Sequence, residues 1–212
     1  MSSICKVQQS LKLLVVLATV LCLWPTGAGA HMVWAGGGAF WGGFLHPLTS
    51  LDEICFLVAL SIWSTFNEPS VRVWTLCAIA VVPGVAAVVL WWSGRELSTV
   101  PIMAALMIVA GLGGAARFKV QGVILLAIAA IGAWFMGSET GQAVGSLSPG
   151  GFIIGASLSP AMLSLYLLGG LERLRSEWQS IACRAVASWI AAIGIMMLTF
   201  ELVRHRVPMQ LH

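Results

Sequence analysis

Inside an apolar stretch at residues 40–63, long enough to cross a bilayer, stand His46, Pro47, Asp52 and Glu53. An ionisable side chain at bilayer depth costs roughly 2.5–3.5 kcal/mol on insertion scales, so such residues usually line a pathway or bind something. The chemistry open to them is that of an ion or proton site. Two adjacent carboxyl groups in low dielectric repel one another when both are charged, and either a proton or a divalent cation relieves that repulsion. Imidazole suits nickel, cobalt, copper or zinc, whereas carboxylates suit harder ions. The structural alternatives are a helix-start histidine at the interface and a carboxyl pair that locks two helices together.

On one continuous α-helix His46, Ser50 and Glu53 would fall near one face, because offsets of four and seven residues complete about one and two turns. Asp52 would lie about 100° from Glu53, and His46 about 10 Å from Glu53 along the axis. A straight helix therefore cannot close one ion between imidazole and carboxylate, and another helix or an irregular start must help. Pro47 predicts a helix beginning near His46, with backbone groups freed there and a re-entrant or broken form.

The elements that must position these residues follow from composition. The 212 residues are 59% hydrophobic and 9% charged, with a mean hydropathy of +0.95, which describes an all-α integral membrane protein. The formal net charge of +3 is small and its basic residues are scattered, so nucleic acid is not an expected partner. Residues 1–30 read as a cleaved signal peptide: Lys6 and Lys12, an apolar core at 13–23, then Gly27, Ala28, Gly29 and Ala30 with an Ala-x-Ala site. Cleavage after Ala30 would make His31 the new amino terminus on the exported side. Its terminal amine and ring nitrogen could then capture a metal together.

Residues 31–212 are expected to form a single transmembrane helical domain of about six spans, near 40–64, 73–92, 98–116, 120–138, 150–170 and 182–203. An exported amino terminus and six spans place Arg72, Arg117, Lys119, Arg173, Arg175 and Arg184 on the inner side, against Arg95, Arg204 and Arg206 outside. That excess agrees with the positive-inside rule. Trp41, Trp63, Trp74, Trp91, Trp92 and Trp134 fall near proposed span ends and read as an interfacial belt. Pro83 and Pro160 predict interior breaks in the second and fifth spans, which correspond if the bundle is two inverted halves. Ser157 and Ser159 could offer oxygens there, although such hydroxyls more often bond back to their own helix. The pairs Gly38/Gly42 and Gly151/Gly155 suit close helix packing within the monomer and also admit a homo-oligomer. Residues 171–178 place Leu171, Leu174 and Trp178 on one helical face, an expected inner-surface segment. Cys55, Cys77 and Cys183 are isolated and read as packing residues.

The segment His46-Pro47-Leu48-Thr49-Ser50-Leu51-Asp52-Glu53, preceded by Gly42-Gly43-Phe44-Leu45, resembles the H-P-x-x-G-x-D-H signature of the HupE/UreJ family of small bacterial membrane proteins. Ser50 stands where that family usually has Gly, and Glu53 where it has a second His. Later spans also lack the further histidines that the family tends to carry. The resemblance implies a cleaved signal, about six spans, and import of nickel or cobalt for hydrogenase and urease maturation. It carries His46 and Asp52 over as candidate ligands and Glu53 as an altered one.

The expected function is a secondary permease in the bacterial inner membrane for a divalent transition metal of nickel or cobalt type. His46, Asp52, Glu53 and His31 are the metal residues, the transported ion is the only expected metal, and no cofactor is tightly bound. The partners are the lipid bilayer and the ion, with a second copy or a membrane complex also admitted. The alternative is a non-transporting accessory or scaffold subunit that has lost the metal site. No nucleotide-binding loop is present. An intramembrane serine hydrolase is disfavoured because no histidine lies in a span near Ser157 or Ser159.

Overall fold

A computed structural model describes residues 38–145, 148–174 and 176–206, all within the unit Trp34–His212. The expected signal segment and His31 lie outside the described residues. Among those described there are seven helices and no strand: α1 (Gly38–Thr49), α2 (Leu51–Ser64), α3 (Pro69–Ser93), α4 (Val100–Ala116), α5 (Gly122–Ala143), α6 (Pro149–Leu171) and α7 (Glu177–Arg206). The chain is a polytopic helical membrane bundle. Helices α3, α5, α6 and α7 are long and apolar enough to cross a bilayer, and α1 with α2 makes a fifth candidate span bent by 68°. Helix α4, with 17 residues, is apolar but shorter.

Helix α2 is the centre of the bundle. Phe56, Leu57, Ala59 and Leu60 are at most 1% exposed, packed with Met103 and Met107 of α4, Leu125 and Met136 of α5, and Ile190 of α7. A helix apolar on all sides can be buried among neighbours as readily as in lipid, and α2 is buried among neighbours. The most extensive helix pairs are α3 with α5, α4 with α7 and α1 with α6, and glycine lets each approach closely. A Cβ at Gly111 of α4 would lie 2.7 Å from the carbonyl oxygen of Ala187 in α7. One at Gly137 of α5 would overlap the backbone of Pro83 in α3, and one at Gly155 of α6 that of Phe40 in α1. Between helices in lipid, such backbone proximity supplies the dispersion contact that hydrophobicity cannot.

Several expectations are corrected. Helices α3 and α6 run unbroken through Pro83 and Pro160, both buried, as neighbouring helices in a bundle allow. Gly43 makes a close α1 contact that the glycine pairs do not predict, against the backbone of Phe152. Trp63 is no belt residue: it is 4% exposed and donates its indole N–H to the Phe118 carbonyl at 2.7 Å. Trp134 sits inside α5, half-buried, whereas Trp41, Trp74, Trp91 and Trp92 are exposed as expected. Residues 171–178 do not form one amphipathic helix, since α6 ends at Leu171 and α7 begins at Glu177.

At the end of the bundle where α2 meets α3, Arg72 fastens the turn. Its guanidinium donates to the carbonyls of Ser64, Thr65 and Asn67 at 2.9–3.2 Å and to Glu172 at 2.7 Å. Nearby, Arg117 lies 5.5 Å over the Phe66 ring and bonds Ser180, and Arg184 donates to the Ala115 carbonyl. Three of the six basic residues expected on the inner side thus gather at one end.

Candidate functional site

The break between α1 and α2 falls at Ser50, an extended residue (φ −84°, ψ 105°). The hydroxyls of Thr49 and Ser50 both donate to the His46 carbonyl, at 2.9 and 3.3 Å. They satisfy an acceptor that the ending helix α1 would otherwise leave open. Pro47 lies within α1 near its end, not at a helix start. His46 therefore belongs to a different helix from Asp52 and Glu53, and the shared face expected from a continuous helix is not formed. The His46 ring packs against Phe152 of α6 at 5.9 Å between centroids.

Asp52 and Glu53 occupy the first turn of α2, where the unpaired amides and the helix dipole favour negative charge. Asp52 is half-buried. Glu53 is 0% exposed, and no donor among the described residues reaches either of its carboxyl oxygens. The group facing it is another carboxyl, that of Glu139 in α5, with Asp52 acting electrostatically on both. A hydrogen bond between two carboxyl groups needs a proton on one of them. With both charged, Glu53 is a buried anion facing a second anion, an arrangement that persists only if a proton or a cation enters it.

Glu139 is absent from the sequence-based reading, which ended the fourth span at residue 138. Helix α5 continues to Ala143, so Glu139 lies inside it. The signal was present, since an acid directly following an apolar run is an intramembrane candidate; its partner, 86 positions earlier, is not visible from periodicity. Thr99, 4% exposed at the start of α4, donates its hydroxyl to Glu139. One turn further along α5, the Gln142 side chain accepts the Leu97 amide at 3.1 Å. Residues 94–99, which leave α3 through Gly94 at φ +60°, are thereby tied to α5 beside the carboxyl pair.

The arrangement brings together Glu53, Glu139 and Thr99, with Asp52 acting electrostatically on the two carboxyls, and His46 belongs to the helix before the break. Among the described residues, no three His, Cys, Asp or Glu side chains stand close enough together to hold a metal ion. The Ser157 hydroxyl bonds back to the Ile153 carbonyl at 2.8 Å, whereas those of Ser159 and Ser164 are buried with no hydrogen-bond partner among the described residues. Cys55, Cys77 and Cys183 are not disulfide-bonded.

The sequence model of the family described as HupE / UreJ protein matches residues 18–197, most of the chain. No curated protein and no solved structure matches it.

Proposed function

The chain belongs to the HupE/UreJ family, a family of membrane transporters or accessory proteins and not of enzymes, and on that premise we propose that it is a secondary permease for a divalent metal cation. The observation that carries this reading is the Glu53 carboxyl, wholly buried at a helix break, without a donor and facing Glu139. A scaffold gains nothing from such an arrangement, since an apolar side chain of similar volume would pack as well without the desolvation cost. A cation pathway uses it. The family resemblance points to nickel or cobalt as cargo, with Asp52 and Glu53 in the pathway and His46 at the break. An exported amino terminus, with the Arg72 end of the bundle facing the cytoplasm, is the orientation that the distribution of basic residues supports.

The test is uptake of nickel, cobalt, zinc, copper and manganese by proteoliposomes containing the protein. Asp52→Asn, which removes charge while nearly preserving shape, should abolish uptake and leave the protein inserted. Wild-type rates in that variant would remove Asp52 from the pathway. One observation favours a second reading, a non-transporting accessory subunit: no metal-holding trio is assembled among the described residues. Flat uptake for every ion, together with loss of a copurifying membrane partner in Asp52→Asn, would establish that reading instead.

A further inference from the structure

We propose that the ion site is built by oxygen donors from three elements, Glu53 of α2, Glu139 of α5 and Thr99 at the head of α4, without His46, and that it therefore accepts a hard divalent cation of manganese or magnesium type. The inference rests on the permease reading above and replaces the nickel or cobalt suggested by the family with a harder ion.

The positions of the donors carry the argument. The carboxyls of Glu53 and Glu139 meet across α2 and α5, and the Thr99 hydroxyl already touches Glu139. Glu53 is fully buried, no donor among the described residues reaches either of its oxygens, and its carboxyl interacts with that of Glu139. Among the described residues the side chains acting on Glu53 are the carboxyl groups of Glu139 and Asp52. His46 stands on α1 across the 68° bend, its ring against Phe152. Two carboxylates and a hydroxyl supply half of an octahedral shell. Magnesium and manganese tolerate such a site because they bind through one or two carboxylates and keep several waters. This also agrees with the absence of a His, Cys, Asp or Glu trio, since Thr99 and water take the remaining positions. Nickel and cobalt favour nitrogen ligands such as imidazole, and among the described residues no histidine or cysteine joins the two carboxyls in a metal-holding group.

The test uses the full-length protein in lipid nanodiscs with Mn2+ as the probe, read by equilibrium titration and by pulsed electron paramagnetic resonance of the bound ion. Glu139→Gln, nearly isosteric, should weaken Mn2+ binding by about tenfold or more, as loss of a metal-site group does. His46→Ala should leave the affinity within about twofold and the spectrum without nitrogen coupling, as an all-oxygen shell requires. Glu139→His should introduce a 14N coupling and raise the affinity for Ni2+ relative to Mn2+. A 14N coupling in the wild type that disappears in His46→Ala would overturn the proposal, as would Mn2+ binding indifferent to Glu139→Gln.

Proteoliposome uptake separates this failure from failure of the permease reading. Nickel uptake that needs His46 and ignores Glu139 would sink the oxygen site and keep the permease. Glu139-dependent Mn2+ binding with no uptake of any ion would sink the permease and keep the site.

Discussion

The two ends of α2 treat buried polar groups in opposite ways. At the Ser64 end, Arg72 meets three backbone carbonyls and Glu172, Asn67 donates to the Trp63 carbonyl at 3.0 Å, and Trp63 donates to Phe118. At the Leu51 end, Glu53 meets another carboxyl and, among the described residues, no donor. The first arrangement holds a turn in place and asks for nothing further. The second is complete only when something with positive charge arrives. Satisfaction of hydrogen-bonding capacity, rather than burial alone, separates the polar cluster that holds the turn from the one proposed to take an ion.

Substitutions at the two ends should divide accordingly. The largest effect is expected at Glu53: Glu53→Gln should reduce ion uptake in proteoliposomes to background while the thermal midpoint in detergent holds or rises, because the amide gives Glu139 the donor that Glu53 lacks. A drop in midpoint with uptake intact would place Glu53 among the structural groups and erase the contrast. Next, Arg72→Ala should destabilise the protein by roughly 3 kcal/mol, since it strips a charged donor from several carbonyls at once, and equilibrium ion binding per folded molecule should stay as in the wild type. Trp63→Phe keeps the ring and removes one hydrogen bond, so a loss of about 1 kcal/mol is expected in reversible unfolding. The smallest effect belongs to Glu172→Ala. Its side chain is 54% exposed, so its ion pair with Arg72 should contribute less than about 1 kcal/mol, diminishing further in high salt. A Glu172 effect as large as that of Arg72 would show that the ion pair, not the carbonyl contacts, secures the turn.

The helices themselves were legible, because six apolar runs separated by short polar breaks leave few other arrangements in lipid. The irregularity near His46 was legible in kind but not in place. Pro47 marks the region, yet the break falls at Ser50, where two neighbouring hydroxyls can take over a carbonyl. Pro83 and Pro160 misled for the complementary reason: close neighbours, such as Gly137 against the Pro83 backbone, let a helix run through a proline. Asp52 and Glu53 stood out as acids in an apolar run. Glu139 did not, because the apolar run before it places the span end at residue 138, and Thr99 carries no mark in a linear pattern. What joins these residues is the packing of α2 against α4 and α5, which no single segment encodes.

The brevity of α2 has an electrical consequence. Its 14 residues span about 21 Å, so with Ser64 near one face of a hydrocarbon core about 30 Å thick, the carboxyl pair lies about 10 Å inside the opposite face. An ion reaching it from that opposite side has crossed about a third of the dielectric and, carrying two charges, has moved through a corresponding share of the transmembrane voltage. At about 2.3 kcal/mol per elementary charge per 100 mV, this amounts to roughly 1.5 kcal/mol, or about a tenfold change in occupancy. On the proposed permease reading and orientation, the bend at Ser50 would make the site a voltage-sensitive one, filled from outside more readily when the cell interior is negative.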